Sequence, residues 1–581
     1  MTEAETVPSL ASRLKAHLEC LYPGENLDAL VDQCLATFDL AKTAPSPTPH
    51  RNLWNAGDAL LITYGDTIRR DGEAPLQTLN AFCRRNLAAG MISTVHVLPF
   101  FPYSSDDGFA VMDYSTVNPS LGDWDDLTHL SSGFQVMTDL VINHCSSRSL
   151  WFENYKAGRA PGHRYFVEAS EDDDLSAVVR PRTSPLLRAV ETVNGERHVW
   201  CTFSHDQVDL DFANPDVLLE FLGIIRLYLD KGMRWFRLDA VAFLWKVPGG
   251  PCINLPETHE VIRLLRLLIE HRQPDAVIVT ETNIPNQENL TYFGNANEAH
   301  LIYNFSLPPL LLHTMLSGNC QHLKHWLMTM PPAQQGTAYL NFLASHDGIG
   351  LRPVEGLLSD EESDRMISTL VASGARVTSR TGASGEVRPY EINISLWDAM
   401  ERTEADGVDG HQLARFVCAH AIMMALEGIP AFYIHSLLAT RNDDDRVEHT
   451  GQNRSINRHV WDADELENLL ASDTHHRDVF TTLRRLLSIR TRQAAFHPNA
   501  TQYTLHLGDG LFAFWRQSVD RRQSIFAIHN ISGQEQVFNL SELNLISTDE
   551  WLDIVSRTSF QERGASVTLA PFEFVWLSNR S

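Results

Sequence analysis

Asp239, Glu281 and Asp347 each close a short apolar, β-rich run, in GMRWFRLDAV (232–241), AVIVTETN (276–283) and NFLASHDG (341–348). Nothing apolar continues past the acid, so each carboxylate should project from the carboxyl end of a strand buried on both faces. Carboxyl ends of parallel strands are where a β/α barrel assembles its active site. Three acids at one mouth suit chemistry that passes through a sugar cation. One attacks the anomeric carbon, one protonates the leaving oxygen, and one steadies the developing charge. Arg237 lies two residues before Asp239. On a strand that spacing puts both side chains on one face, where the guanidinium keeps the acid ionised.

The elements that must position these acids are legible as a repeated pattern. Strand-like runs occur at 59–64, 94–100, 134–143, 233–241, 276–281, 300–305, 338–345 and 430–435, and amphipathic stretches such as 217–232 and 258–272 separate most of them. Eight such strands with intervening helices predict a (β/α)8 TIM barrel over residues 49–490. Two insertions interrupt it: a subdomain at 145–213, after the third strand, and a Gly-, Arg- and Ser-rich acceptor-loop insertion at 348–410. Insertions at that face shape a binding site. Ahead of the barrel, residues 1–48 read as a helical extension with helices at 9–21 and 27–41. Residues 495–581 alternate in short runs and predict a C-terminal antiparallel β-domain.

Composition narrows the class. The 581 residues are 43% hydrophobic and 21% charged, which is globular. The net charge of −26, from 47 Lys and Arg against 73 Asp and Glu, argues against a nucleic-acid partner. The eight cysteines are scattered, with no C-x-x-C pair or zinc spacing. No apolar stretch is long enough to span a membrane, and the N-terminus has no continuous apolar leader, so the expectation is a cytoplasmic enzyme. No Walker loop, dinucleotide fingerprint or metal cluster appears, so no cofactor and no metal are expected.

DLVINH (139–144), RLD (237–239), TE (280–281) and SHD (345–347) follow one another at the ends of consecutive strand candidates. In this order the chain resembles glycoside hydrolase family 13, the α-amylase superfamily. The resemblance implies Asp239 as nucleophile, Glu281 as general acid/base and Asp347 as transition-state stabiliser. Arg237 would orient the nucleophile, and His144 and His346 would hold hydroxyls of the glucosyl ring. Glu281 has to start protonated, which requires burial or neighbouring carboxylates. Many α-amylase relatives bind calcium near the Asn of the first motif, here Asn143, but the finer features make a structural calcium an unexpected addition.

Those features are SSDDGFAVMDY (104–114), RPRTSPLL (180–187), TFSHDQVDLDF (202–212), RPYEINISLWDAM (388–400) and RSINRH (454–459). They resemble the sucrose phosphorylase group, closest to its glucosylglycerate phosphorylase and sucrose 6′-phosphate phosphorylase branch. The resemblance implies retaining transfer of an α-glucosyl unit from a small glucoside to inorganic phosphate. Asp106 and Arg458 would bind the far hydroxyls, Phe109 would wall the ring, and Phe203 with Gln207 would line the acceptor entrance. An acidic acceptor or phosphate needs a cation. Arg388, beside Tyr390 and Glu391, is the candidate for the acceptor and Arg182 for phosphate, with Arg180, Arg376 and Arg380 in reserve. Glucosylglycerate is the first choice of substrate, with sucrose and its 6′-phosphate next. A hydrolase or transglucosidase on the same scaffold, and a silent sugar-binding protein, are the competing readings. A homodimer is compatible with all of them.

Overall fold

Eight runs of buried residues pair edge to edge and close on themselves. The computed structural model describes residues 8–580 apart from Ala89, Glu171, Thr183, 382–386, 544–550 and 561–564. Thr183 of the RPRT motif, and 382–386 of the second insertion, therefore lie outside the described residues. The barrel consists of β1 (Leu60–Thr63), β2 (Thr94–Val97), β3 (Gln135–Leu140), β4 (Trp235–Leu238), β5 (Val277–Thr280), β6 (Leu301–Tyr303), β7 (Ala338–Phe342) and β8 (Ile429–Tyr433). Each strand pairs in parallel with the next in sequence, and β1 meets β8 through Leu60 and Ala431 to shut the ring. All eight match the expected runs, trimmed by a residue or more at most ends. Their side chains are buried on both faces except at Gln135, the condition a barrel wrapped in helices imposes.

Two N-terminal helices, α1 (Leu10–Leu21) and α2 (Leu27–Thr37), pack outside this ring. Leu10, Leu14, Leu18 and Leu21 form one buried stripe of α1, at the spacing of an amphipathic helix. α1 packs on α4 (Pro256–Arg272), and α2 packs on α3 (Pro215–Asp230). His17 Nδ1 lies 2.7 Å from Glu260 Oε1, and the Tyr22 hydroxyl donates to Phe212 O at 3.0 Å. The second helix stops at Thr37, four residues short of the expected end. Asp39 turns left-handed (φ 54°) there, and the Leu40 and Asp39 amides bond back to Leu35 O (2.9 Å) and Ala36 O (3.2 Å). That Schellman-type reversal satisfies the last carbonyls and redirects the chain.

The first insertion holds an antiparallel pair, His144–Ser146 with Gln207–Asp209, and a hairpin, Leu187–Thr192 with Gly195–Trp200. The second holds a three-stranded antiparallel sheet from Ile349–Gly350, Val387–Asn393 and Arg376–Thr381. Beyond the barrel, six strands form an antiparallel sheet in the order Thr501–His506, Leu511–Gln517, Ser524–Asn530, Phe574–Ser578, Trp551–Asp553 and Ser559–Phe560. It is tied to the barrel by Arg516, whose fully buried guanidinium donates to Ala425 O (2.6 Å) and His497 O (2.8 Å).

Candidate active site

β4 carries Arg237 directly opposite Asp139 of β3 on one side and Val279 of β5 on the other. Arg237 is 2% exposed, and its Nη1 bonds both Asp139 Oδ1 (2.5 Å) and Asp239 Oδ1 (2.7 Å). His96 Nε2 holds the other Asp139 oxygen at 2.7 Å. The chain after Asp239 turns at once, with Ala240 left-handed at φ 48°, and the Ala240 amide donates to Glu281 Oε2 at 2.8 Å. Arg237 Nη2 reaches the same oxygen at 3.8 Å. The two acids are thus neighbours on adjacent strand ends, sharing one guanidinium and one turn.

Burial raises both Asp239 and Glu281 above the ordinary carboxylate range. Arg237 opposes this in each; Glu281 adds to the rise at Asp239, and Asp347 adds to it at Glu281. Two buried carboxyls that share one guanidinium disfavour ionising together. The direct bond from Arg237 favours charge on Asp239 and the proton on Glu281. At Asp347 burial also works upward, but the guanidinium of Arg454 and, behind it, those of Arg458 and Arg237 hold the acid well below its usual value. Arg454 Nη1 lies 2.5 Å from Asp347 Oδ1, while Nε and Nη2 grip Glu391 at 3.0 and 2.6 Å. Burial pushes both His144 and His346 down, so both are neutral donors or acceptors.

A cavity of about 700 Å³ opens above these groups. It is lined by the expected Asp239, Glu281, Asp347, Asp106, Phe109, His144, Phe203, Gln207, His346, Arg182 and Tyr390. Phe109 stacks on His346 with ring centroids 4.9 Å apart. Gln207 Nε2 donates to Asp106 Oδ2 at 3.2 Å, and Phe203 packs against His144. The Asp106-Asp107-Gly108 turn is left-handed throughout, at φ 55°, 46° and 114°. A Cβ on Gly108 would sit 2.7 Å from Pro99 O, so only glycine fits. This turn sends Asp106 into the cavity and Asp107 toward Arg458.

Four of the expected residues lie elsewhere. Arg237 lies in the barrel wall beneath Asp239, as its orienting role requires. Arg458 is 2% exposed and binds Asp107 Oδ2 (2.7 Å) and His346 O (2.9 Å) rather than pairing with Asp106. Glu391 is buried under the site on Arg454. Arg388 is exposed and lines a separate groove with Val354, Glu355 and Asp360. Its strand explains this: Thr378 faces Glu391 but Ser379 faces Pro389, a bulge that removes Tyr390 from the ladder. The two-residue alternation that would put Arg388 and Tyr390 on one face is broken there. Arg376 and Arg380 also serve loops, pairing with Asp444 (2.9 Å) and Glu355 (2.6 Å).

Sequence reasoning missed Arg352, Arg454 and Asn283, all of which line the cavity. It also missed Lys246, whose Nζ is 2.7 Å from both Asn143 Oδ1 and Asp209 Oδ2. An ammonium therefore occupies the oxygen cluster at Asn143. Arg454 stood within the quoted RSINRH motif, four residues before the arginine chosen from it. Arg352 lay within the second insertion, at 348–410, but nothing there set it apart from the other arginines.

The α-amylase catalytic-domain family model matches residues 90–371. A glucosylglycerate phosphorylase of Spirochaeta thermophila is 42% identical over 530 residues, covering 90% of each chain. One from Escherichia coli is 37% identical over 571 residues, covering 98% of this chain and 100% of its own. Among solved structures, the sucrose 6F-phosphate phosphorylase of Thermoanaerobacter thermosaccharolyticum superposes with a TM-score of 0.70 at 25% identity, covering 82% of this chain and 94% of that one.

Proposed function

This chain belongs to the α-amylase superfamily, glycoside hydrolase family 13, among its glucoside phosphorylases, and from that premise we propose a retaining phosphorylase of 2-O-α-glucosylglycerate. The observation that carries the substrate is the pairing of near full-length relatives bearing that activity in their names, at 37% and 42% identity, with a cavity mouth that holds Arg182 and Arg352. Among the described residues neither guanidinium is in an ion pair, so both are available to an anion. Inorganic phosphate accounts for one of them in any phosphorylase; a neutral acceptor such as fructose leaves the other without a charge to meet.

In this reading Asp239 attacks the anomeric carbon while Glu281 gives its proton to the departing glycerate oxygen. The glycosidic bond breaks and an ester to Asp239 forms. Hydrogen phosphate then attacks the same carbon from the face glycerate vacated, the ester breaks, and its proton passes to Glu281. The products are glycerate and α-glucose 1-phosphate. Asp347, held ionised by Arg454, steadies the positive charge on the ring in both steps. Arg237 reaching both Asp239 and Glu281 supports a pair set close enough for this double displacement. Three alternatives remain on the same scaffold: a sucrose phosphorylase, a sucrose 6′-phosphate phosphorylase, and a hydrolase or transglucosidase. The eight cysteines are all unpaired, seven of them buried, which fits a reducing cytoplasm. No described helix is long and apolar enough to cross a membrane.

The deciding assay supplies α-glucose 1-phosphate with glycerate, glycerol, fructose or fructose 6-phosphate and follows phosphate release. Glycerate should be the best acceptor. If fructose or its phosphate leads instead, the enzyme is one of the sucrose-type phosphorylases; release that ignores every acceptor marks a hydrolase.

A further inference from the structure

We propose that Arg352 is the residue that reads the acceptor's carboxylate, an inference that rests on the acidic-acceptor reading above. In a 2-O-linked glycerate the carboxyl carbon is bonded to the carbon that bears the bridging oxygen. Its charge therefore lies within a few ångströms of the oxygen that Glu281 protonates, and the cation that recognises it must stand beside Glu281. The strand end that delivers Glu281 continues as Thr282 and Asn283, both in the cavity wall. Packed on Asn283 is Gly350, so closely that a Cβ there would sit 2.7 Å from Asn283 Nδ2. Two residues on, Arg352 opens a short 3-10 turn (Arg352–Val354) and lines the same cavity. The segment carrying Arg352 is thus fixed against the continuation of the strand that delivers Glu281.

The other cations of the site are placed for different work. Arg454 is spent on Asp347 and Glu391. Arg182 comes from the other insertion and lies 5.9 Å from the ring centres of both Phe203 and Tyr390, which hold it over the aromatic rim. Arg388 is outside the cavity. A guanidinium can take both oxygens of a carboxylate at once, which glycerol, lacking that group, cannot reward.

The test is a selectivity ratio: kcat/KM for glycerate over that for glycerol, with saturating α-glucose 1-phosphate. One charge-assisted contact gives the wild type a ratio of roughly tenfold to a hundredfold. Arg352→Ala should bring it close to one, through a raised KM for glycerate. Arg352→Lys, which keeps the charge without the fork, should retain part of it. Arg388→Ala should leave the ratio as it is. A variant that merely loosens the fold lowers both acceptors together, so an unchanged ratio in Arg352→Ala and Arg352→Lys overturns the inference even if activity falls. If the ratio survives in both but collapses in Arg182→Ala, the carboxylate is read from the opposite rim. A wild type with no preference for glycerate overturns the substrate reading itself, and the role of Arg352 with it.

Discussion

In the proposed mechanism Asp239 and Glu281 divide one proton inside a buried cluster, and its position decides which is nucleophile and which is acid. Arg237 contacts Asp239 at 2.7 Å and Glu281 at 3.8 Å, while both carboxyls are raised by burial. The competent state has Glu281 protonated. Because its pKa is raised, that state persists above the ordinary glutamate range and is lost as pH climbs through the raised value. The pH profile of kcat/KM for phosphorolysis should therefore carry an alkaline limb from the shared proton. Glu281→Gln should slow phosphorolysis by about 10²-fold or more, yet cleave α-glucosyl fluoride far better, since fluoride leaves without a proton, and with that substrate the alkaline limb should vanish. Asp239→Asn should lose several orders of magnitude with either substrate, because no ester can form. An Asp239→Asn enzyme that keeps a tenth of its phosphorolysis sinks the assignment, as does a Glu281→Gln enzyme equally crippled with both leaving groups.

The strands were readable because a barrel wall buries both faces, so each strand is a plain apolar run that stops at a polar end. The three acids that meet in the cavity were readable for the same reason: they are those ends. The arginines that line the cavity beside them were not. Arg352 and Arg454 lie in short 3-10 turns of the connecting loops, where no periodicity marks a side chain as inward. Arg388 was misplaced because the bulge at Tyr390 is invisible to a two-residue alternation. A buried cation can also hold elements together without any chemistry. Helices α5 (Gln412–Ala425) and α6 (His475–Arg490) flank the barrel, and the fully buried Arg490 ends the second. It donates to Ala56 O (2.7 Å) and Asp58 O (2.8 Å) just before β1, and to Met424 O (3.2 Å) and Phe496 O (3.1 Å). The seam where β1 and β8 shut the ring is thus clasped by one guanidinium. Arg490→Met should cost about 3 kcal/mol or more by orphaning several carbonyls, read as a lower denaturant midpoint, with Arg490→Lys in between. A midpoint equal to wild type in the Met variant would show that water replaces the clasp without loss.

At the scale of the whole molecule the charge is paradoxical for the proposed enzyme of two anionic substrates. The chain carries −26, yet in the proposed reaction phosphate and glycerate enter a cavity that also contains Asp106, Asp239, Glu281 and Asp347. Locally the conflict is eased by Arg454, which neutralises Asp347, and by Arg182 and Arg352 at the cavity wall, inside a partly enclosed and poorly screened space. The surplus negative charge acts differently: it is spread over the surface and meets the substrate on approach, through water, where salt screens it with a Debye length of about 30 Å at 0.01 M but about 8 Å at 0.15 M. Adding inert salt over that range should therefore weaken the repulsion more than it weakens the contact attraction. The expected result is a rise of about two- to fivefold in kcat/KM for glycerate and for phosphate, with glycerol, which carries no charge, unchanged. Chloride can compete for the arginines, so the series should be repeated with a bulky monovalent anion. A steady fall for both anions with either salt would mean that the arginines at the mouth already govern the approach, outweighing the acidic shell around them.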